Sequence, residues 1–339
     1  MTATQATASR SGLGGTGLAL AVVSAATFGT SGTFASSLID AGWSPAAAVL
    51  ARVSLAALIL TIPAIVALAG QWSALRRSAG RVAAFGLFAV AGAQLCYFNA
   101  IERMPVGVAM LLEYLGTILV VGWLWLRHGQ RPRPLTIAGA IAAIAGLAMV
   151  LDLTGSVSIN PVGVMWGLLA AFGLATYFVI SAHEGQDPLP PVTMAWAGMC
   201  VGAVMLTVLG LTGALPLAAS TGNVTFAGHR MNWIVPAGGL AVVAAAIPYI
   251  AGIGAARRLG AKLASFIGLA EVLFAIVFAW LLLGQLPTIM QFFGGAAILA
   301  GVTLVRIDEL KTQDISQGES LAVASSHGPE RLTSVREPV

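Results

Sequence analysis

Three charged side chains stand inside stretches that are otherwise apolar: Arg52, Glu113 and Glu271. A charge at the centre of a bilayer costs about 3 kcal/mol on insertion scales, so each must face protein or a water-filled cavity. A carboxylate there can bind a proton or a substrate ammonium, and a guanidinium can tune that carboxylate or hold a substrate carboxylate. If helices enter from one side at Pro45 and at Pro105, Arg52 lies ~10 Å deep and Glu113 ~12 Å deep, so an ion pair between them is geometrically available. The same pair could instead be permanent and purely structural. Glu271 falls ~16 Å from the nearer end of its helix, close to the midplane. It either touches substrate or proton, or bonds to neighbouring backbone and supports a bend.

Neutral polar residues at depth form a second tier. Gln94, Tyr97 and Asn99 follow one another along one apolar stretch, and Tyr249 stands in another. Amide and phenol groups suit recognition of a small polar solute in a dry site, and suit interhelical bonding equally.

Composition decides what kind of molecule positions these residues. Of 339 residues, 58% are hydrophobic, 9% are charged and 40 are glycine, a balance foreign to water-soluble domains. The expected fold is an all-α membrane protein with ten transmembrane helices in two inverted five-helix repeats. The helices are expected at about 16–38, 45–69, 81–101, 105–126, 134–151, 161–182, 190–212, 232–256, 260–283 and 286–305, each of a length to cross the ~30 Å hydrocarbon core. Trp43-Ser44-Pro45, Met104-Pro105, Asn160-Pro161 and Leu286-Pro287 punctuate them. Residues 1–15 read as a cytoplasmic segment, 16–151 and 161–305 as the repeats, and 306–339, polar and of mixed charge, as a disordered cytoplasmic tail.

A shift of 155 aligns Ala100–Val150 with Ala255–Val305 at 13 identities in 51 positions, where roughly four or five are expected by chance. Matched pairs include Arg103 with Arg258, Trp125 with Trp280, Gly139 with Gly294 and Gly146 with Gly301. At a slightly different offset, Ala26-Thr27-Phe28 meets Ala175-Thr176-Tyr177. Five helices per copy is odd, so the copies must insert upside-down relative to each other, the plan of many secondary transporters. Charge agrees: Arg127, Arg131 and Arg133 correspond to Leu282, Leu286 and Thr288, while Glu102 and Gly107 correspond to Arg257 and Lys262. With both termini inside, almost all basic residues fall on the cytoplasmic side and only Arg103 and Arg230 outside. In repeat coordinates Glu113 faces Gly268, Glu271 faces Gly116, and Gln94 faces Tyr249. Paired carboxylates and glycines suit two helices converging on a central cavity.

The run from Gly268-Leu-Ala-Glu271 to Leu283-Gly284-Gln285, continuing to Gly294-Gly-Ala-Ala-Ile-Leu-Ala-Gly301-Val302, resembles the ten-helix EamA-type members of the drug/metabolite transporter superfamily. Val272 stands where that family usually has proline and Gln285 where it usually has glutamate. Ala109-Met-Leu-Leu-Glu113-Tyr-Leu-Gly116 is similar to the helix-4 segment of branches that include amino-acid exporters. The resemblance implies a secondary transporter that exports a small polar metabolite such as an amino acid by alternating access, proton-coupled or facilitative. It also implies that Thr27, Thr176 and Tyr177 line the cavity, although threonine more often bonds back to its own helix.

Other signals fail. Gly12-Leu-Gly14-Gly-Thr-Gly17 matches a dinucleotide fingerprint but precedes a membrane helix with no strand before it. No phosphate-binding loop, no H-E-x-x-H and no basic stripe interleaved with aromatics occur. Cofactor, metal and nucleic acid are therefore not expected; the bilayer, a small-molecule substrate and protons are the expected partners. Abundant Arg, Ala and Gly suggest a bacterial inner membrane as the location. Two rivals stand beside the exporter: an uptake carrier or exchanger of the same fold, and a membrane-embedded enzyme acting on lipid-linked groups, for which no nucleophile or metal constellation is found. Cys96 and Cys200 read as small buried hydrophobes.

Overall fold

The computed structural model describes residues 3–119, 126, 133–150, 160–183, 188–290, 292–301, 303, 304 and 307. Expectations for the tail after 307 and for Arg127 and Arg131 lie outside these residues. Six helices are long and apolar enough to cross a membrane: α1 Thr16–Asp40, α2 Pro45–Ala67, α3 Ala79–Ile101, α6 Pro161–Ala182, α7 Pro191–Leu211 and α8 Ile234–Leu259. Among the described residues there are also four shorter apolar helices, α4 Val106–Leu119, α5 Pro134–Gly146, α9 Ala270–Leu283 and α10 Phe292–Gly301. The prolines act as expected at helix starts. Ser44 accepts a bond from the Ala47 amide ahead of Pro45, and Asn160 caps Val162 and Gly163 ahead of Pro161. On α2, Leu58, Ile62 and Val66 form an outward stripe about 70% exposed, which suits lipid contact and would be costly in water.

The helices are interrupted in ways that hydropathy does not reveal. α1 breaks at Gly29-Thr30. There Thr27, Thr30 and Thr33 donate to the carbonyls of Val23, Thr27 and Thr30 at 2.7 Å, back-bonding that bends helices. Gly29 also lies against Phe274 and Ala275, where a side chain would not fit. α4 is interrupted at Leu115, and a turn at Leu269 precedes α9. No loop appears at 256–260; the backbone stays helical from Ile247 to Gly268, and Ala256-Arg-Arg-Leu259 are strong helix formers with no proline among them. A β-hairpin, Asn223–Phe226 with His229–Asn232, lies between α7 and α8 and is the one sheet among the described residues. Its turn places Ala227 and Gly228 at positive φ, 51° and 76°, the geometry of a tight two-residue connection.

Packing runs across the two halves. α1 lies on α8 and α6 on α3; α4 lies on α6 and α9 on α1; α2 lies on α7. Each of the first two pairings repeats its partner after exchange of the copies. α5 and α10 make the relation explicit. A Cβ at Gly146 would strike the Gly294 carbonyl, and one at Gly301 would strike the Gly139 carbonyl. Gly139 matches Gly294 and Gly146 matches Gly301, so the contacts are exchanged copies of each other, and the two helices run antiparallel.

The seam has a second reciprocal device. α3 widens to π geometry over Phe85–Gly92 and α8 over Val242–Ala246, matching positions of the two copies. Such bulges turn carbonyls out of the regular ladder, and in hydrocarbon those carbonyls need donors. The Tyr249 hydroxyl donates to Ala89 O at 3.2 Å. Arg52, fully buried, donates to Ala244 O, to Gln94 Oε1 and to Ser31 Oγ, the last at 2.7 Å. Ala89 and Ala244 are repeat equivalents, and each carbonyl takes its extra bond from the other half. Phe28 and Phe98 flank the guanidinium at 5.9 and 5.8 Å from their ring centres, a favourable face for a cation.

Two stability measurements in detergent check this seam. Gly146→Leu should lower stability by about 1–3 kcal/mol through overpacking, whereas an unchanged melting temperature would place α5 and α10 apart. Arg52→Lys, whose compact ammonium cannot span acceptors now served from two separate guanidinium nitrogens, should cost about 1–3 kcal/mol; wild-type stability would mean that the Ala244 carbonyl needs no cap.

Candidate functional site

A cavity of about 40 Å³ lies between the halves. Its walls come from α1, α3 and α4 of the first copy and from α6, α8 and α9 of the second, three repeat-related pairs. Along α1 it borders Ala21 to Phe28, and along α8 Tyr249 to Ala255. Ser31 and Ala244, the Arg52 partners, are further along toward the hairpin end, so the Arg52 cluster closes that end of the cavity. The volume accommodates about three waters.

Both carboxylates face this space. Glu113, 5% exposed, precedes the interruption of α4, and Glu271 sits in the first turn of α9 just after the interruption at Leu269. A carboxylate there meets the positive end of the helix dipole. The Tyr114 hydroxyl bridges the break, at 2.6 Å from Gly268 O and 2.8 Å from Glu271 Oε2. It donates one proton, so the two acceptors share it unless the carboxyl itself carries a proton and donates back. Among the described residues no hydrogen bond or ion pair reaches the Glu113 carboxylate. Helices broken at a pair of carboxylates near the middle of a bundle provide a site where ions and polar ligands can be held in hydrocarbon.

Of the residues singled out from sequence, Glu113, Glu271, Gln94, Tyr177 and Tyr249 line the cavity. Gln94 points its amide oxygen at Arg52, so it joins the cavity wall to the clamp. Tyr177 packs edge-on to Phe28, Phe178 and Tyr249 at 6.2, 5.2 and 5.7 Å; its buried hydroxyl has no described hydrogen-bond partner. A side chain at Gly252 would collide with that hydroxyl and with Ser24 Oγ, and Ser24 itself donates to Pro248 O at 2.9 Å. Tyr97 is set apart, with its hydroxyl over Gly32 and Val106 beyond the clamp. Thr27 and Thr176 bond back to Val23 O and Phe172 O and do not line the cavity. Asn99 bonds back to Leu95 O and meets Arg103. Arg52 does not pair with Glu113. It is taken up by Ser31, Gln94 and Ala244, although its charge is near enough to act on both carboxylates. Tyr114 is the lining residue that the sequence reading passed over. Its signal was position: a phenol beside Glu113, matched in the other copy to Leu269 at the second helix break.

Comparison with known proteins agrees with this architecture. The chain is 25% identical over 231 residues to an uncharacterized inner membrane transporter, YicL, of Salmonella typhimurium, covering 66% of this chain and 72% of that protein. It is 25% identical over 239 residues to the threonine/homoserine exporter RhtA of Salmonella typhimurium, covering 68% and 74%. Over 125 residues it is 30% identical to the aromatic amino acid exporter YddG of Ancylobacter novellus, covering 37% and 42%. One solved crystal structure superposes with a TM-score of 0.55 at 21% identity, covering 88% of this chain and 96% of that one, which shows a shared fold. These relatives are transporters and not enzymes. The family model of the EamA-like transporters matches twice, over residues 15–152 and 161–307, the two stretches that pack reciprocally across the seam, and the chain thus belongs to the EamA-like transporter family.

Proposed function

We propose that this protein is a secondary transporter that exports a small polar metabolite bearing an amino group, amino acids and their relatives included, by alternating access across a bacterial inner membrane. One observation carries the reading: two carboxylates, Glu113 buried and Glu271 half-buried, at the interruption of α4 and just after the one before α9, open into one cavity walled by matched helices of both halves. The names of two relatives, exporters of threonine and homoserine and of aromatic amino acids, support the substrate class.

In this reading the two copies, 16–151 and 161–305, insert in opposite orientations with both termini in the cytoplasm, as the distribution of basic residues favours. The cavity then reaches toward the cytoplasmic end, and the Arg52 cluster with the hairpin forms the periplasmic closure. Phe34 stacks on Phe226 at 5.0 Å, and Trp43 meets Trp233 at 5.5 Å and donates to Ser220 O at 2.8 Å, so that closure joins α1 to the hairpin and to the start of α8. A space of about 40 Å³ admits a charged head group but no whole amino acid, so transport requires the halves to part. Glu113, which no described residue bonds, is the residue that exchanges its bound cation or proton. Tyr114 and Glu271 form the more rigid side. Uptake or exchange uses the same machinery under other gradients.

Flux in proteoliposomes across a metabolite panel, with and without a pH gradient, tests this. Glu113→Gln and Glu271→Gln should each lower flux at least tenfold in protein that is folded and inserted. Undiminished proton-dependent flux in Glu113→Gln would remove Glu113 from the mechanism.

A further inference from the structure

The cavity walls carry two carboxylates, and among the described lining residues no basic side chain answers them. Arg52 supplies one positive charge from behind Gln94. Of the described arginines on α8, Arg257 donates to Leu189 O, and Arg258 to Gly254 O at 3.1 Å. Among the described groups, two acids against one guanidinium leave one negative charge for a proton or a monovalent cation to offset.

The rest of the wall has the character of an aromatic box. Phe28, Tyr177, Phe178 and Tyr249 meet largely edge to face, and exposed ring faces attract cations. The Tyr177 hydroxyl is buried without a described partner, leaving a polar group free for a ligand. By contrast, no cationic side chain described in the cavity wall would receive a carboxylate, and the neutral donors there, the Tyr177 hydroxyl and the Gln94 amide, leave its charge uncompensated. Arg52 is held behind the wall by Ser31, Gln94 and Ala244, and the oxygens of Glu113 and Glu271 would repel it. A buried carboxylate without a donor is expensive.

We propose that the preferred ligand of this cavity is an organic amine cation with an aromatic or apolar body, and that amino-acid zwitterions are disfavoured because no cationic group among the described lining residues compensates their carboxylate. This rests on the reading of the cavity as the transport site, and narrows the amino-bearing class to its members without an acid. Once the halves part enough to admit such a ligand, its ammonium sits between Glu113 and Glu271, with its body against Tyr177, Phe178 and Phe28.

Calorimetric titration of the full-length protein in lipid nanodiscs with three probes sharing one ring tests it: phenethylamine, phenylalanine and 3-phenylpropionate. Phenethylamine should bind at least tenfold more tightly than phenylalanine, and 3-phenylpropionate more weakly than either. Glu113→Gln should weaken phenethylamine at least tenfold, with Glu113→Asp retaining part of the affinity. Equal or tighter binding of phenylalanine, or no binding of phenethylamine to the unmutated protein, overturns the proposal. If phenylalanine wins and loses its affinity in Glu113→Gln and Glu271→Gln, the cavity stands as the transport site and only the ligand class is wrong. If phenethylamine binds and neither variant changes it, the assignment of the cavity itself falls.

Discussion

A backbone carbonyl turned out of its helix in the middle of a bilayer has no water to accept from, so some donor must be brought to it. This constraint organises the molecule. The matched π segments of α3 and α8 present Ala89 and Ala244, and the donors come from opposite halves, Tyr249 to the first and Arg52 to the second. Each copy therefore completes the other. Neither half satisfies its own bulge, and the exchange of caps fixes the register of the seam in which the cavity lies.

The same logic places the chemistry. Interruptions of α4 and before α9 release further backbone groups, and there the carboxylates and Tyr114 are found, with the Tyr114 hydroxyl taken up by Gly268 O and Glu271. Small residues admit this crowding. Gly252 leaves room for Tyr177, and the glycines of α5 and α10 allow backbones to touch, the usual device for close helix packing in lipid. Arg52 stands between the two functions. Its bond to Gln94, a cavity residue, means that a change of charge in the cavity is felt by the group that holds the hairpin end shut.

Much of this was legible in the sequence because burial in lipid exaggerates the cost of every polar residue. Glu113, Glu271, Gln94, Tyr177 and Tyr249 were singled out on that ground or by resemblance, and all border one cavity. The internal repeat disclosed which positions correspond, and the reciprocal glycines of α5 and α10 follow from it. Three things were not legible. Depth along a helix could not say which helices are neighbours, so a pair of Arg52 with Glu113 stayed open, whereas α2 places Arg52 against α1, α3 and α8. Hydropathy is blind to π segments and helix breaks, since these change backbone bonding without changing residue polarity. The hairpin lay in a loop, though Val224-Thr225-Phe226 before Ala227-Gly228 carries strand and turn chemistry. The lining threonines implied by family resemblance were decided by local physics, because Thr27 and Thr176 found acceptors one turn back.

The central claim is that transport opens the seam at the end closed by Arg52 and the hairpin. Trp43 and Trp233, which meet at 5.5 Å there, mark where to hold it shut. With Trp43→Cys and Trp233→Cys joined by a short reducible thiol crosslinker, flux should cease while ligand binding from the opposite face persists, and reduction should restore transport. Full flux through completely crosslinked protein would contradict the account.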